Sequence, residues 1–366
     1  MNDTRTDTVD RSPMRAGAFI REAWYFALAG GELARGRVVH RTLLGEPVLL
    51  GRDRDGRVFA LRDTCPHRGT LLSRGAFDGR EVECPYHGWR FATDGRCTAI
   101  PSQAPDQRPQ PADVRAPAYP VSEVQGNVWV YMGRARDNLP PAPRVPGVAD
   151  NPAPNLYLAM AFACDLDLAA AGLMDPAHGA FVHRSALWRT KASIHDKAKA
   201  FSPVNEHGRI GWRMDRHAAS SNSRAYRIFL GGAPATEITY LMPSLRIEHA
   251  VTSKAMYAGL TACTPVDATR TMVHHAMYWR VPGGAALSAL LRPLVRAVAW
   301  RFLDQDRRAV EHMKAGLVFD PPTMLIRDAD QQVRWYQRLK AELLAAEAER
   351  RAAINPIESI VLRWRS

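Results

Sequence analysis

Cys65-Pro66-His67-Arg68-Gly69 and, after sixteen residues beyond His67, Cys84-Pro85-Tyr86-His87-Gly88-Trp89-Arg90-Phe91 decide how the first third of this chain folds. Each arm offers one thiolate and one imidazole, so two tight loops between strands can bring two sulfurs and two ring nitrogens together. Two chemistries use such donors, a structural zinc ion and an iron–sulfur cluster. Zinc sites usually pair like with like, a cysteine pair in one arm and a histidine pair in the other. Here each arm mixes the donor types, and the first separates them by a single residue. That mixture suits a [2Fe–2S] cluster with two thiolates on one iron and two histidines on the other.

Outward from these arms, short β-type runs separated by turn signals extend from about Trp24 to Met132. Examples are Pro47–Leu50, Val58–Leu61, Gly88–Phe91 and Val128–Met132, with turns at Asp55-Gly56, Asp94-Gly95 and Gly126-Asn127. The pattern predicts an all-β domain. Six prolines between Pro140 and Pro154 then exclude regular structure and favour an extended connector. Beyond it come a helical stretch near Asp165–Ser185 and strand-like runs at Tyr226–Leu230, Ile238–Leu241, Leu245–Glu248 and Ala255–Cys263. Thr269–Arg280 pairs with the last of these through Pro265-Val266-Asp267, and helical periodicity returns from Leu287 and over Asp328–Arg351. The fold class is therefore α+β: a disordered tail over 1–18, an all-β domain over 19–139, a linker over 140–155 and an α+β domain over 156–366.

Composition narrows the function. The 366 residues carry 49 Lys and Arg against 37 Asp and Glu, a net charge of +12. The arginines are scattered, with no basic block interleaved with aromatics, so a solvated basic surface is favoured over nucleic-acid binding. Such a surface can steer an acidic electron-transfer partner. The apolar stretch Ala285–Leu303 is interrupted by Arg292, Pro293, Arg296 and Arg301 and cannot pass as a membrane span. Met1–Arg15 is polar without an apolar core, which points to a cytoplasmic location. Five cysteines form no disulfide framework, and Cys97, Cys164 and Cys263 are expected as core residues.

A second constellation is Gly172-Leu173-Met174-Asp175-Pro176-Ala177-His178-Gly179-Ala180-Phe181-Val182-His183. An iron centre that binds oxygen beside a substrate needs two imidazoles and one carboxylate on one side. His178 and His183 can be the imidazoles, although either alone reads as a core histidine. Asp175 before Pro176 also reads as a helix N-cap. Helical phase bears on the carboxylate. Asp306 has Phe302 and Leu303 one turn before it and Ala309 and Val310 one turn after, placing it on an apolar face. Asp304 is flanked by Arg301, Arg307 and Arg308 and reads as a solvated, ion-paired position. Burying a carboxylate is costly unless a cation receives it, which favours Asp306 as the ligand, with Asp304 as the alternative. His274 and His275, adjacent on a strand, point to opposite faces and are expected to be structural.

The two motifs resemble those of Rieske-type non-haem iron oxygenases, and the resemblance runs from about Trp24 to the helical tail. Within that family the chain looks like the shorter branch that includes vanillate demethylase and dicamba monooxygenase. The resemblance implies a helix-grip (START-like) second domain, a [2Fe–2S] cluster on Cys65, His67, Cys84 and His87, and mononuclear Fe(2+) on His178, His183 and Asp306. The spacing of Asp306 and Glu311 fits the family's D-x₄-E pattern. Asp175 is then the carboxylate linking His178 to a cluster histidine, His87, of a neighbouring subunit in a head-to-tail homotrimer. Electrons would come from NADH through a reductase, directly or through a ferredoxin. With O2, a small aromatic or other hydrophobic substrate would be hydroxylated or O- or N-demethylated; ring dihydroxylation is the alternative outcome. Gly172 departs from the family, which often has Asn there. The cysteine pair of respiratory Rieske proteins is also absent, implying a cluster of lower potential. The rival from another class is a non-catalytic Rieske electron carrier, which needs only the first motif; a structural zinc protein is the remoter option. Pocket-lining residues are expected between about Ser202 and Tyr278.

Overall fold

The computed structural model describes residues 18–104, 106–107, 109–150, 152–183, 194–218, 227 and 229–366. Residues 1–17 of the expected tail and 184–185 at the end of the expected helical stretch lie outside the described residues. The amino-terminal part is built from β1 (Trp24–Ala29), β2 (Arg37–Leu43), β3 (Glu46–Arg52), β4 (Val58–Arg62), β5 (Ala76–Phe77), β6 (Glu81–Glu83), β7 (Arg90–Ala92), β8 (Cys97–Ala99), β9 (Ala118–Tyr119), β10 (Val121–Val124) and β11 (Asn127–Tyr131). They form three small sheets with strand orders β1-β11-β10, β2-β3-β4-β9 and β5-β6-β7-β8. β1 and β11 are buried along their whole length, because one face meets the neighbouring small sheet and the other meets the second half of the chain.

That half contains β12 (Leu156–Phe162), β13 (Asp196–Glu206), β14 (Arg209–Ala218), β15 (Ala235–Leu241), β16 (Leu245–Val251), β17 (Met256–Asp267), β18 (Arg270–Arg280) and β19 (Ile360–Arg365). Its helices with described bounds are α1 (Leu166–Met174), α2 (Gly179–Val182), α3 (Gly284–Leu317) and α4 (Gln331–Glu349). The strands make one antiparallel sheet in the order β12-β18-β17-β16-β15-β14-β13-β19. Side chains alternate across it. On the inner face, Phe201, Trp212 and Tyr240 pack with Trp335 and Tyr336 of α4, while Val273 and Phe162 pack with α1 and with Val310 of α3.

The outer face carries Leu245, Ile247, Leu260, Ala276 and Tyr278, which pack against Trp24, Phe26, Trp129 and Tyr131 of β1 and β11. Fully burying each large apolar side chain is worth roughly 1.5–3 kcal/mol, so this shared core ties the two halves together. Backbone bonds add to it: Leu44 N donates to Pro265 O at 2.8 Å and Gly45 N to Val266 O at 2.7 Å. Described residues between Pro140 and Asn155 include no helix or strand. This proline-rich stretch is nonetheless pinned, since Trp24 Nε1 donates to Pro140 O at 2.7 Å and the Gln125 amide bonds the backbone of Val145 and Val148.

The structure departs from the sequence expectations in four places. The helical stretch from Asp165 is broken into α1 and α2 at Asp175-Pro176, because the residue before proline is driven to extended backbone. The strand expected over Tyr226–Leu230 does not form: Arg227 and Phe229 are helical, and Tyr226 and Ile228 lie outside the described residues. β17 runs on through Pro265 to Asp267, which pairs with Arg270, so the hairpin turn falls at Ala268-Thr269 rather than at Pro265-Val266-Asp267. Asp304 is ion-paired to Arg307 and Arg308 but only 7% exposed, covered by those side chains rather than solvated.

Candidate metal centres

The two cysteine-and-histidine arms share one backbone design. Cys65 N donates to Thr70 O and Gly69 N to Cys65 O; in the second arm Cys84 N donates to Trp89 O and Gly88 N to Cys84 O. Gly69 and Gly88 sit at φ +75° and +70°, the left-handed region that suits glycine. Both arms thus turn in the same register although their histidines occupy the third and fourth positions. Cys65 and Cys84 are each 2% exposed, while His67 is exposed and His87 half-buried at the rim. The His67 and His87 ring centroids are 4.7 Å apart, and Trp89 stacks on His67 at 4.7 Å with planes 6° apart. Burial, reinforced by the adjoining Cys84 thiol, pushes the Cys65 thiol up to about 11; a cation is needed there to draw out the thiolate. Two buried, neighbouring sulfurs and two rim imidazoles fit a [2Fe–2S] cluster.

Asp63 was missed by sequence reasoning. Fully buried two residues before Cys65, its carboxylate accepts from Ser73 N at 2.7 Å and lies 2.6 Å from His40 Nδ1. It anchors the first arm, and an acidic residue among turn signals gave no sign of this.

On the inner side of the large sheet, His178, His183 and Asp306 offer ligand atoms all within 4.8 Å of one another. Asp306 Oδ1 is 3.0 Å from His183 Nε2 and 3.4 Å from His178 Nε2, and the two Nε2 atoms are 3.1 Å apart. Burial opposes charge on Asp306, but hydrogen bonds from His178 and His183 outweigh it and hold the carboxyl below its ordinary range. Burial likewise works to lower His178, and Asp306 reverses the direction and raises it. Two imidazoles and one carboxylate, partly desolvated and converging on one point, fit a ferrous ion. Asp304 is engaged by its two arginines instead.

Each imidazole is oriented through its other nitrogen. His178 Nδ1 donates to the backbone oxygen of Asp175 at 2.8 Å, and His183 Nδ1 donates to Gln305 Oε1 at 3.1 Å. Gln305 was also missed, because an amide beside two aspartates on a helix carries no ligand signature. The Asp175 carboxylate caps the turn: Oδ1 accepts from Ala177 N at 2.7 Å and His178 N at 3.3 Å, while Oδ2 stands 3.8 Å from His178 Nδ1. Within the chain, then, the capping reading describes the carboxylate, and its backbone oxygen holds the imidazole. Gly172 has a packing reason, since a Cβ there would meet Val310 Cγ2 at 2.6 Å where α1 crosses α3. Glu311 serves structure, accepting from Ala163 N and Arg307.

His274 and His275 do point to opposite faces. His274 is buried on the outer face, 4.6 Å from Phe26 and 2.7 Å from Tyr157 Oη. His275 faces inward, with Nδ1 2.8 Å from Thr261 Oγ1.

Residues 23–120 match the Rieske [2Fe-2S] domain, and residues 162–346 match the vanillate O-demethylase oxygenase C-terminal domain. The chain is 42% identical over 130 residues to the 3-chlorobenzoate-3,4-dioxygenase oxygenase subunit of Comamonas testosteroni, covering 35% of this chain and 30% of that protein. It is 34% identical over 168 residues to the dicamba O-demethylase oxygenase component of Stenotrophomonas maltophilia, covering 46% and 48%. These aligned stretches amount to less than half of either relative's length. The crystal structure of dicamba monooxygenase bound to dicamba superposes with a TM-score of 0.69 at 24% identity, over 91% of this chain and all of that one, which shows a shared fold.

Proposed function

Since the chain belongs to the Rieske oxygenase family that carries a vanillate O-demethylase oxygenase C-terminal domain, we propose that it is the oxygenase component of a multi-component system. In this reading it uses O2 and electrons from a partner reductase to hydroxylate, or O- or N-demethylate, an aromatic or other hydrophobic small molecule. The observation that carries it is the convergence of His178, His183 and Asp306 within 4.8 Å, which an electron carrier does not need.

Cys65, Cys84, His67 and His87 would hold the cluster, and His178, His183 and Asp306 the mononuclear iron. When bound, the cluster supplies single electrons and the ferrous ion supplies an oxygen-activating centre with open positions. The protein's share is orientation. The Asp175 backbone oxygen and the Gln305 amide oxygen each accept from Nδ1 of one histidine, which turns both Nε2 atoms toward Asp306. Phe302 stacks on His183 at 4.5 Å and shields the site from water on that side. The half-exposed Asp175 carboxylate can accept a hydrogen bond from His87 of the partner subunit in a head-to-tail trimer, joining the two centres across a subunit boundary. A reductase, with or without a ferredoxin, would pass electrons from NADH to the exposed His67 rim. Monooxygenation is preferred to dihydroxylation, and no described helix is long and apolar enough to cross a membrane, which is compatible with a cytoplasmic enzyme.

Iron analysis with EPR tests this. An oxygenase holds about three irons per chain, one of them lost on mild chelation while the cluster signal persists; about two would make the chain a carrier. Aerobic turnover with a reductase and methoxylated, N-methylated and carbocyclic compounds should consume NADH, with formaldehyde released from the methylated ones.

A further inference from the structure

The cavity beside Asp306 is lined from the sheet by Phe162 of β12, Cys263 of β17 and Val273 of β18. Two residues along β17 and β18, on the same face, stand Thr261 and His275, which are register partners. Thr261 Oγ1 and His275 Nδ1 are 2.8 Å apart. Arg246 of β16 is paired in register with Thr261. It forms a 2.9 Å ion pair with Glu248, their side chains 19% and 15% exposed. His275 lies near enough to Asp306 to feel its charge. A polar patch therefore interrupts an otherwise apolar wall next to the three ligand residues.

Two features of the patch bear on what it can hold. The contact to Thr261 is the only hydrogen bond of the His275 ring among the described residues. The ring is partly exposed, so its Nε2 is open to a group that enters beside the cavity, and an imidazole nitrogen there can hydrogen-bond it. The charges on this part of the wall are already matched, Arg246 by Glu248, and burial pushes His275 down to about 4, so the ring is neutral at ordinary pH. An entering carboxylate would find no unmatched cation on the inner faces of β16, β17 and β18 and would lose its hydration.

We propose that His275, positioned by Thr261, is a specificity determinant whose Nε2 hydrogen-bonds an uncharged polar group, such as a hydroxyl or carboxamide, on a hydrophobic substrate. The assignment rests on the oxygenase reading for the word substrate, but the binding preference can be measured separately. Sites built to hydrogen-bond a ligand group reject analogues lacking it, and matched internal charges reject an anion.

Calorimetric titration of the iron-loaded protein with 3-methoxybenzamide, 3-methoxybenzoate and 3-methylanisole tests it. The amide should bind at least about tenfold more tightly than the benzoate and the anisole, a difference of 1.4 kcal/mol. His275→Leu should remove the preference of amide over anisole. Thr261→Val, which keeps the side-chain shape, should reduce it with the visible cluster spectrum unchanged. In turnover of the amide, both variants should raise KM more than they lower kcat. Benzoate binding as tight as the amide, or an amide affinity indifferent to both variants, overturns the assignment. Two irons per chain with the binding pattern intact would sink the oxygenase reading and leave the assignment standing.

Discussion

Gln305 sits between two aspartates, and the three side chains do three different things. Asp304 binds arginines, Gln305 fixes a histidine and Asp306 faces the two Nε2 atoms. Asp306→Ala and His178→Ala should each lower iron from about three to about two per chain with the cluster spectrum intact, whereas Asp304→Ala should not. Gln305→Leu should weaken mononuclear iron binding about 10–100-fold, measured by competition with a chelator. Asp175→Asn should leave both metals in place and stop turnover, and full activity in that variant would refute its bridging role. The meeting of the cysteine and histidine arms was legible because their donors lie in two short runs of consecutive residues. Asp306 was legible through helical phase. Asp63 and Gln305 were not, since each acts through a partner brought from elsewhere in the chain, and the Asp175 carboxylate, among the described residues, caps its turn and stands beside His178.

At the scale of elements, the alternating β16 and the long, largely buried β18 could be read directly, while β13 and β19 could not. Lys197 and Lys199 of β13 and Arg363 and Arg365 of β19 blur their patterns, and they pair across more than 150 residues. The crossing of α1 on α3 depends on Gly172, so Gly172→Asn, which restores the family's more frequent residue, should collide with Val310 and loosen both helices, seen as a lower melting temperature. The end of α4 is tied by Glu342, which accepts from Arg351 and from Ile354 N. Those hydrogen bonds lower the Glu342 carboxyl to about 2. A carboxylate with a depressed value stabilises the fold above its unfolded range near 4.5, and that contribution is lost as pH falls toward 2. Glu342→Gln should therefore flatten the acid limb of stability between about pH 4.5 and 2 and change little near pH 8.

For the whole molecule, the aromatic core between β1, β11 and the outer sheet face makes the two halves one cooperative unit. Phe26, 5.2 Å from Trp129 and 4.6 Å from His274 by ring centroids, is fully buried in it. Phe26→Ala should cost about 3–5 kcal/mol. In the parent chain, loss of cluster absorbance and of tryptophan fluorescence should coincide on heating; in the variant the two transitions should separate.

The amino-terminal sheets cover one side of the eight-stranded sheet, and His178, His183 and Asp306 gather on the opposite side. A single copy thus places an insulating wall of peptide, about 10 Å thick with its side chains, between its own pair of redox stations. On the proposed head-to-tail trimer, wiring between neighbours would be the short route and dilution an off-switch: specific activity should then fall with protein concentration while every molecule stays brown and fully metalled.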